Sequence, residues 1–306
     1  MVQELMMVYK MIVLDMDGTL LNEEQKISVR NKEALLKAIE AGIHIVLASG
    51  RHYNGLLPYI QELGLDKEGC YSVSCSGAMV VDHQNHEVIY EEHVDAGDIP
   101  VIHQLCEKLD IDMCGYGKDG LFIHHDNLFS RYDQIVNQSS MIQVDFNHLN
   151  SNQLIYKLNI INESSDIRDS INQYFPTVIL EDYSIRNKPH FDPDLLDELW
   201  RFPKFIRERY HLVRALPFMV ELFHNHTNKA VGVEVITNQL GILMEDVVAL
   251  GDSGNDVHMI EKAGLGVAMA NAIEDVKNAA DYITGSNTQD GVAQVVEKMI
   301  KNERIL

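Results

Sequence analysis

The feature that most constrains the fold is an alternation of apolar strands and amphipathic helices at both ends of the chain. Near the N-terminus it runs MIVLD, SVRNKEALLKAIEAG and IHIVLASG. After residue 225 it resumes with NKAVGVEVITNQLG, VVALGD and GNDVHMIEKAG. Short buried strands separated by helical patterns are typical of βαβ units, which build a parallel sheet. We therefore predict an α/β fold with a Rossmann-like, doubly wound parallel sheet.

The strand–helix alternation is lost in the middle of the chain. Strand-like segments such as NQLIYKLNII mix with helical patterns such as residues 165–175, and Trp200 lies at helical spacing in a candidate core. A chain of 306 residues is long enough for two medium domains. We interpret residues 1–83 and 225–306 as one catalytic core, interrupted by an inserted α+β cap domain at residues 84–224.

The charge balance limits the possible partners. The chain has 25 Lys and Arg against 46 Asp and Glu, a formal net charge of −21. Nucleic acid and anionic membrane surfaces are therefore not expected as partners, because both require basic patches. An anionic small molecule is compatible if a local cation offsets the field. The four cysteines form no C-x-x-C pair, and the N-terminus lacks the basic region of a signal peptide, so we expect a cytoplasmic protein.

Polar residues follow the predicted strands of the core, and ligands of an open parallel sheet bind beyond the carboxyl ends of its strands. The residues in question are Asp15, Asp17, Ser49, Gly50, Arg51, Asp252, Asn255 and Asp256, with Lys229 at the start of a helix. Four carboxylates cannot be packed together without cations, and hard oxygen ligands indicate Mg²⁺. A metal, a lysine, a hydroxyl and glycine-rich turns together suit a phosphoryl group. One carboxylate would remain to act as nucleophile and another to transfer a proton.

Four segments in this order resemble the motifs of the haloacid dehalogenase superfamily, and in particular its Cof-type phosphatases. DMDGTL resembles the first motif and LASGR the second; Lys229 stands where the lysine of the third would be, and GDSGND with GVAMANA resembles the fourth. The resemblance covers about half of the chain, at both ends. It implies an α/β core with a large cap inserted between the second and third motifs.

The resemblance also implies roles for individual residues. Asp15 would be the nucleophile that forms an aspartyl-phosphate, and Asp17 the general acid and base. Mg²⁺ would be held by the Asp15 side chain, the Asp17 backbone carbonyl and Asp252. The remaining roles are phosphate binding by Ser49, Lys229, Asn255 and the backbone N–H groups of Met16 and Gly50, and a supporting role for Asp256. Arg51 is expected to reach the substrate or to form a salt bridge with the cap.

Four positions in three segments depart from the usual motifs of the superfamily. Ser49 stands in place of the more common threonine, Ser76 in place of an asparagine, and the usual S-K-G of the third motif is Asn228, Lys229 and Ala230. None of these departures removes a catalytic group. The sequence thus predicts a Mg²⁺-dependent phosphatase acting on a small phosphorylated metabolite, such as a sugar phosphate or a phosphorylated cofactor.

Two alternatives remain open. A phosphomutase or phosphotransferase could use the same aspartyl-phosphate with a different acceptor. A non-catalytic phosphometabolite-binding protein is the other, although a phospho-acceptor receiver needs far fewer residues and no cap.

The 14 histidines include the pairs His124–His125 and His224–His226. They lack a helical H-x-x-x-H pattern or a companion cysteine pair, so we expect surface or strand histidines here rather than zinc ligands.

Overall fold

The computed structural model describes residues 9–150, 152–162, 202–216, 218–301 and 303. The chain divides into two compact units. The first consists of Met1–Tyr90 and Asn228–Leu306, and the second of Glu91–Thr227. The helix predicted at residues 165–175 and the position of Trp200 lie outside the described residues.

The first unit is built from both ends of the chain. Its described strands are β1 (Met11–Leu14), β2 (His44–Ala48), β3 (Tyr71–Ser74), β4 (Met79–Asp82), β5 (Glu87–Glu91), β12 (Val247–Gly251), β13 (Leu265–Ala268) and β14 (Tyr282–Ile283). Its described α-helices are α1 (Val29–Glu40), α2 (Leu57–Glu62), α6 (Lys229–Leu240), α7 (Val257–Lys262), α8 (Glu274–Ala279) and α9 (Gly291–Ile300).

These strands form one sheet in the order β14-β13-β12-β1-β2-β3-β4-β5. From β14 to β3 every pair is parallel, and β4 then pairs with β3 in the antiparallel direction. All four residues of β1 are buried, which explains its uninterrupted apolar sequence. Helix α1 packs on α9, while α6 packs on α7, as in a doubly wound α/β fold. The predicted fold class is confirmed.

The second unit contains a six-stranded sheet in the order β10-β11-β9-β6-β7-β8. Its described strands are β6 (Asp112–Gly117), β7 (Gly120–Ile123), β8 (Met141–Gln143), β9 (Ile155–Ile161), β10 (Tyr210–Leu216) and β11 (Met219–His224). Its described α-helices are α3 (Ile99–Lys108), α4 (Leu128–Asn137) and α5 (Lys204–Arg209). The strands pair antiparallel except β7 with β8, so this unit is the α+β insertion of the sequence interpretation.

The boundaries of the units differ slightly from those predicted. Residues 84–90 were assigned to the insertion, but β5 adds to the edge of the first sheet beside β4. The returning boundary lies between Thr227 and Asn228 rather than at residue 225. The alternation of HEVIYEEHV predicts half of a hairpin correctly, but it does not show which sheet that strand joins. Among the described residues, no helix combines the length and apolarity that crossing a bilayer requires.

Candidate active site

Three neighbouring strands of the first unit end level with one another. Leu14 of β1 is in register with Leu47 of β2 on one side and with Leu250 of β12 on the other. Asp15 follows β1 directly, and Asp252 follows β12. Parallel strands end at the same edge of a sheet, so residues more than 200 positions apart meet there.

Lys229 is the buried cation of this edge. Its side chain has no exposed surface, and its ammonium contacts Asp15 and lies 2.6 Å from Oδ1 of Asp256. Burial lowers the pKa of a lysine, but the two carboxylates outweigh it and leave the pKa of Lys229 above its usual value. Lys229 is therefore held in its charged form.

Asp15, Asp252 and Asp256 form a carboxylate cluster around this lysine. One oxygen from each lies within 4.8 Å of the other two. Burial, followed by repulsion from Asp256, raises the pKa of Asp15 well above its usual value and that of Asp252 to about 7. If all three carboxylates were ionised, one ammonium would leave two negative charges uncompensated, which is the charge that a divalent cation would offset. The oxygen donors and their spacing therefore fit a hard metal ion.

Asp256 shapes the loop that carries Asp252. It is fully buried, and its Oδ2 accepts the backbone N–H groups of Asp252 at 3.0 Å and Ser253 at 2.9 Å. Its other oxygen accepts from Lys229. One side chain thus fixes both the turn after β12 and the position of the lysine.

The Asp252 carboxylate is also positioned from the first motif. The Thr19 hydroxyl donates to Asp252 Oδ1 at 2.7 Å. Gly18 has φ +83°, and a Cβ there would lie 2.3 Å from Asp252 Oδ2. No role was predicted for Thr19, although its place directly after D-x-D-G is a signal that could have indicated one.

Asp17 is bound by Arg51 rather than by the lysine. The guanidinium donates from Nε to Oδ2 at 2.8 Å and from Nη2 to Oδ1 at 2.5 Å. Arg51 also contacts the side-chain oxygen of Gln25, whose backbone carbonyl accepts from Tyr59 at 3.0 Å. Burial favours the protonated carboxyl, but the charge and hydrogen bonds of Arg51 outweigh it and lower the pKa of Asp17. The sequence did not indicate this pair, nor Gln25.

The loop after β3 supports the loop after β2. The backbone N–H of Ser76 donates to the Ser49 carbonyl at 3.0 Å, and that of Cys75 donates to the Arg51 carbonyl at 2.9 Å. Cys75 and Ser76 both have positive φ, 51° and 59°, which costs a non-glycine residue about 1–3 kcal/mol. The loop keeps this conformation because the two hydrogen bonds hold it against Ser49 and Arg51.

The same loop touches the helix of the lysine. A Cβ at Gly77 would lie 2.1 Å from the backbone oxygen of Asn228, so only glycine allows this approach. Asn228 is the N-cap of α6, and its side chain accepts from the Val231 N–H at 3.1 Å. Asparagine is as good an N-cap as serine, which accounts for its presence before Lys229.

The remaining predicted site residues lie at the same edge, with fewer side-chain contacts to the cluster. Asn255 accepts from Ser253 Oγ at 2.8 Å, and that hydroxyl lies 3.3 Å from Asp256 Oδ2. Met16 is fully buried, and Gly50 is half-buried directly after Ser49.

Comparison with known proteins identifies the family of the chain. The sequence profile of the haloacid dehalogenase-like hydrolases matches residues 12–296. The chain belongs to this family. The Bacillus subtilis (strain 168) protein YxeH is 31% identical over 294 residues, which cover 95% of this chain and 98% of YxeH.

Two further members of the haloacid dehalogenase family illustrate the similarity. The 5-amino-6-(5-phospho-D-ribitylamino)uracil phosphatase YcsE of B. subtilis is 29% identical, with 95% of this chain and 96% of YcsE covered. A haloacid dehalogenase-like hydrolase from Bacteroides thetaiotaomicron, known from its crystal structure, has 29% sequence identity to this chain. The two structures superpose with a TM-score of 0.76 over 95% of this chain and 99% of that one.

The protein is therefore a phosphatase of the haloacid dehalogenase family. Membership of a hydrolase family, with a relative named as a phosphatase, favours hydrolysis over the phosphotransferase and binding-protein alternatives. Phosphatases of this family typically use a metal ion, and the carboxylate cluster of this chain has the donors for one.

Proposed function

We propose that the protein hydrolyses the phosphate monoester of a small metabolite in two displacements at phosphorus, with Asp15 as the nucleophile. The observation that supports this assignment is the position of Asp15, buried at the end of β1 and in contact with the Lys229 ammonium. A carboxylate held between a lysine and two further carboxylates is oriented by its surroundings. An attacking group of this kind needs no separate base once it is ionised.

Asp15, Asp252 and the backbone carbonyl of Asp17 would hold Mg²⁺. The fit rests on the uncompensated charge of the carboxylate cluster and on its exclusively oxygen donors. Bound there, Mg²⁺ would neutralise charge on the transferring phosphoryl group and keep Asp15 ionised. Asp256 also has an oxygen in the cluster, but its contacts to Lys229 and two backbone N–H groups favour a supporting role.

Asp17 would transfer the proton in both displacements. Its ionised form, which Arg51 stabilises, is the one that activates water when the aspartyl-phosphate is hydrolysed. Protonating the leaving alcohol in the first displacement requires the acid form. We therefore infer that Arg51 releases at least one oxygen of Asp17 when substrate binds.

The phosphoryl oxygens would be bound by Lys229, the Ser49 hydroxyl, Asn255 and the backbone N–H groups of Met16 and Gly50. The Ser49 hydroxyl accepts the backbone N–H of Arg51 at 3.1 Å, which orients it before substrate arrives. The second unit would act as the cap that selects the rest of the substrate. YcsE is named for a phosphorylated ribityl compound, which supports a sugar phosphate or a phosphorylated cofactor as the substrate class here.

The decisive variant is Asp15→Asn, which keeps the shape of the side chain and removes the nucleophile. We expect Mg²⁺-dependent release of inorganic phosphate from an aryl phosphate to fall by at least about 10³-fold, as in other nucleophile knock-outs. In the wild type, acid quenching during turnover should trap an acyl-phosphate that hydroxylamine cleaves. Exposed Asp66→Asn is the matched control and should keep full activity. An Asp15→Asn enzyme with wild-type turnover would refute the assignment.

The metal and the acceptor are tested separately. Phosphate release should stop in EDTA and return with Mg²⁺, whereas metal-independent turnover would contradict the proposed metal. A panel of phosphorylated metabolites identifies the substrate. Product analysis then identifies the acceptor, because hydrolysis releases free phosphate whereas a phosphotransferase transfers the phosphate to a second metabolite.

A further inference from the structure

The second unit contains a cluster of metal-ligating side chains that the phosphatase site does not use. His103 and Glu107 lie four residues apart on α3, so they share one face of that helix. Glu107 Oε2 lies 4.0 Å from Nδ1 of His103. An i, i+4 pair of this kind presents two ligands to one point in space.

His124 adds a third ligand from a different element. It follows β7 directly, and its ring centroid lies 4.8 Å from that of His103. One ligand atom from each of His103, Glu107 and His124 lies within 4.8 Å of the others. Two imidazoles and one carboxylate therefore converge on one region of the second unit.

The His124 ring is held in a tautomer suitable for binding a metal. Its Nδ1 lies 3.4 Å from the backbone carbonyl oxygen of Val144. A carbonyl oxygen can only accept a hydrogen bond, so Nδ1 carries the hydrogen and Nε2 keeps its lone pair. Metal-binding histidines are commonly oriented by such a hydrogen bond from the other ring nitrogen.

His103 is buried, and one of its ring nitrogens has no hydrogen-bond partner among the described residues. The side chain is only 3% exposed, and within the described part of the chain its Nδ1 has no hydrogen-bond partner. Leaving a buried ring nitrogen without a partner is unfavourable, and a ligand that accepts its lone pair would remove that cost.

The surroundings add a further donor and a route of entry. The Asn147 side chain lies beside the His103 ring and offers an oxygen donor. His124 also lines an open cavity of about 500 Å³ together with His125, Gln143, Val144 and Asp145. An ion could reach the cluster from this cavity.

We propose that His103, Glu107 and His124 form a binding site for a divalent transition-metal ion of the zinc class in the second unit. Imidazole with one carboxylate is a donor set that suits Zn²⁺, whereas Mg²⁺ prefers oxygen ligands alone. This site shares no residue with the carboxylate cluster of the phosphatase centre. The helical pattern H-x-x-x-E, rather than H-x-x-x-H, is its sequence signal, and the proposal revises the expectation that His124 is not a metal ligand.

The test is a calorimetric titration of the EDTA-treated, full-length protein with Zn²⁺ in excess Mg²⁺, which competes at the oxygen-rich cluster. We expect one Zn²⁺ whose affinity falls by about 10- to 100-fold or more in Glu107→Gln and in His124→Ala, since even residues that only orient a ligand have effects of that size. Glu107 is exposed, so its substitution should leave the fold intact. Circular dichroism checks both variants.

His226→Ala is the matched control. His224 and His226 have the same ring separation of 4.8 Å, but no metal-binding group of three among the described residues includes them. This variant should bind Zn²⁺ as the wild type does. Equal weakening in His124→Ala and His226→Ala, or no weakening in Glu107→Gln and His124→Ala, would overturn the proposal.

Co²⁺ gives a second readout that does not depend on heat. A four- or five-coordinate site with imidazole ligands gives intense visible absorption, whereas an octahedral oxygen site absorbs weakly. We expect the wild type in excess Mg²⁺ to show the intense spectrum and His124→Ala to lose it. A weak spectrum in the wild type, or an intense one that His124→Ala keeps, contradicts the assignment.

Discussion

Arg51 binds both carboxylate oxygens of Asp17, from Nε at 2.8 Å and from Nη2 at 2.5 Å. The arginine is 7% exposed, whereas the Asp17 side chain is 41% exposed, so the pair joins a buried cation to an accessible carboxylate. A bidentate pair of this kind stabilises the ionised carboxylate. The group proposed to transfer the proton is therefore held as a base.

Replacing Arg51 with glutamine should change the pH dependence of the reaction. Arg51 lowers the pKa of Asp17, so its loss raises that pKa and keeps the acid form present to higher pH. We expect the basic limb of the pH profile of kcat/KM to move to higher pH. Gln25→Ala, which removes a contact of Arg51 but not its charge, should shift the profile less. Superimposable profiles for wild type and Arg51→Gln would show that Asp17 is not the titrating acid.

Gly18→Ala should weaken metal binding. The added Cβ would meet Asp252 Oδ2 at 2.3 Å and displace a proposed metal ligand. We expect the Mg²⁺ concentration needed for half-maximal activity to rise by about tenfold or more, by analogy with the loss of groups that orient a ligand.

Gly42→Ala is the control for backbone strain. Gly42 has φ +85°, against +83° at Gly18, but a Cβ added at Gly42 would have no neighbouring atom within 4 Å. Both substitutions should cost about 1–3 kcal/mol of stability, and only Gly18→Ala should lose metal affinity. Equal Mg²⁺ dependence in the two variants would show that crowding of Asp252 is unimportant.

Gly77→Ala should displace the N-terminus of α6 and with it Lys229. The clash is with the backbone oxygen of Asn228 at 2.1 Å, which no side-chain rotation can relieve. We expect a fall in kcat, because the lysine that contacts Asp15 moves. Gly69→Ala, at φ +75° with open space around it, should keep kcat. Steady-state kinetics of the two variants separates the effect of the clash with Asn228 from the effect of backbone strain. An unchanged kcat in Gly77→Ala would show that Gly77 does not help to position Lys229.

Lys229→Met should destabilise the metal-free protein by about 3–5 kcal/mol, because Asp15 and Asp256 lose their buried counter-ion. The loss should be larger at pH 8 than at pH 5, since protonation relieves the unpaired carboxylates at low pH. Lys262→Met is the control, because Lys262 lies 2.6 Å from Glu234 in an exposed pair and should cost at most about 1 kcal/mol. Urea unfolding in EDTA measures both, and similar losses would contradict the buried-charge argument.

The raised pKa of Asp252 makes both the stability of the protein and its metal binding depend on pH. Its folded value of about 7 lies above the usual 3.8, so between these values the folded state holds a proton that the unfolded state releases. This contribution to stability is present at low pH and is lost as pH rises through 7. We therefore expect Asp252→Asn to reduce the decline in stability of the metal-free protein between pH 5 and pH 8.

Metal should reverse this trend in the wild type, because Mg²⁺ binds the ionised carboxylate. The increase in melting temperature on adding Mg²⁺ should be larger at pH 8 than at pH 6 and small in Asp252→Asn. Equal shifts at both pH values would exclude Asp252 as the linked group.

Much of this arrangement was predictable, because strand order alone places the residues after β1, β2 and β12 at one edge. Asp15, Lys229 and Asp252 are brought together by topology, which the alternating pattern reveals. The contacts between Gln25, Arg51 and Asp17 were not predictable. They depend on side-chain direction in loops, where no periodicity applies.

The assignment of β5 failed for a related reason. An alternating strand carries information about which of its faces is buried, but none about which edge it joins. The proposed ligands His103 and Glu107 were not singled out in the sequence, because a helical i, i+4 pair becomes a candidate ligand set only when a third ligand lies beside it. Here that ligand is His124, which follows β7.

The central place of β1 has a consequence for synthesis of the protein. Its neighbour β12 is encoded roughly 230 residues later, so at about 5–20 residues per second the ribosome needs roughly 10–50 s to supply it. During that interval a wholly apolar strand has one edge without its native partner, which is the kind of edge that seeds aggregation. The nascent chain is therefore most exposed to misassembly while the inserted unit is being made, and a chaperone that covers Met11–Leu14 would act in that window.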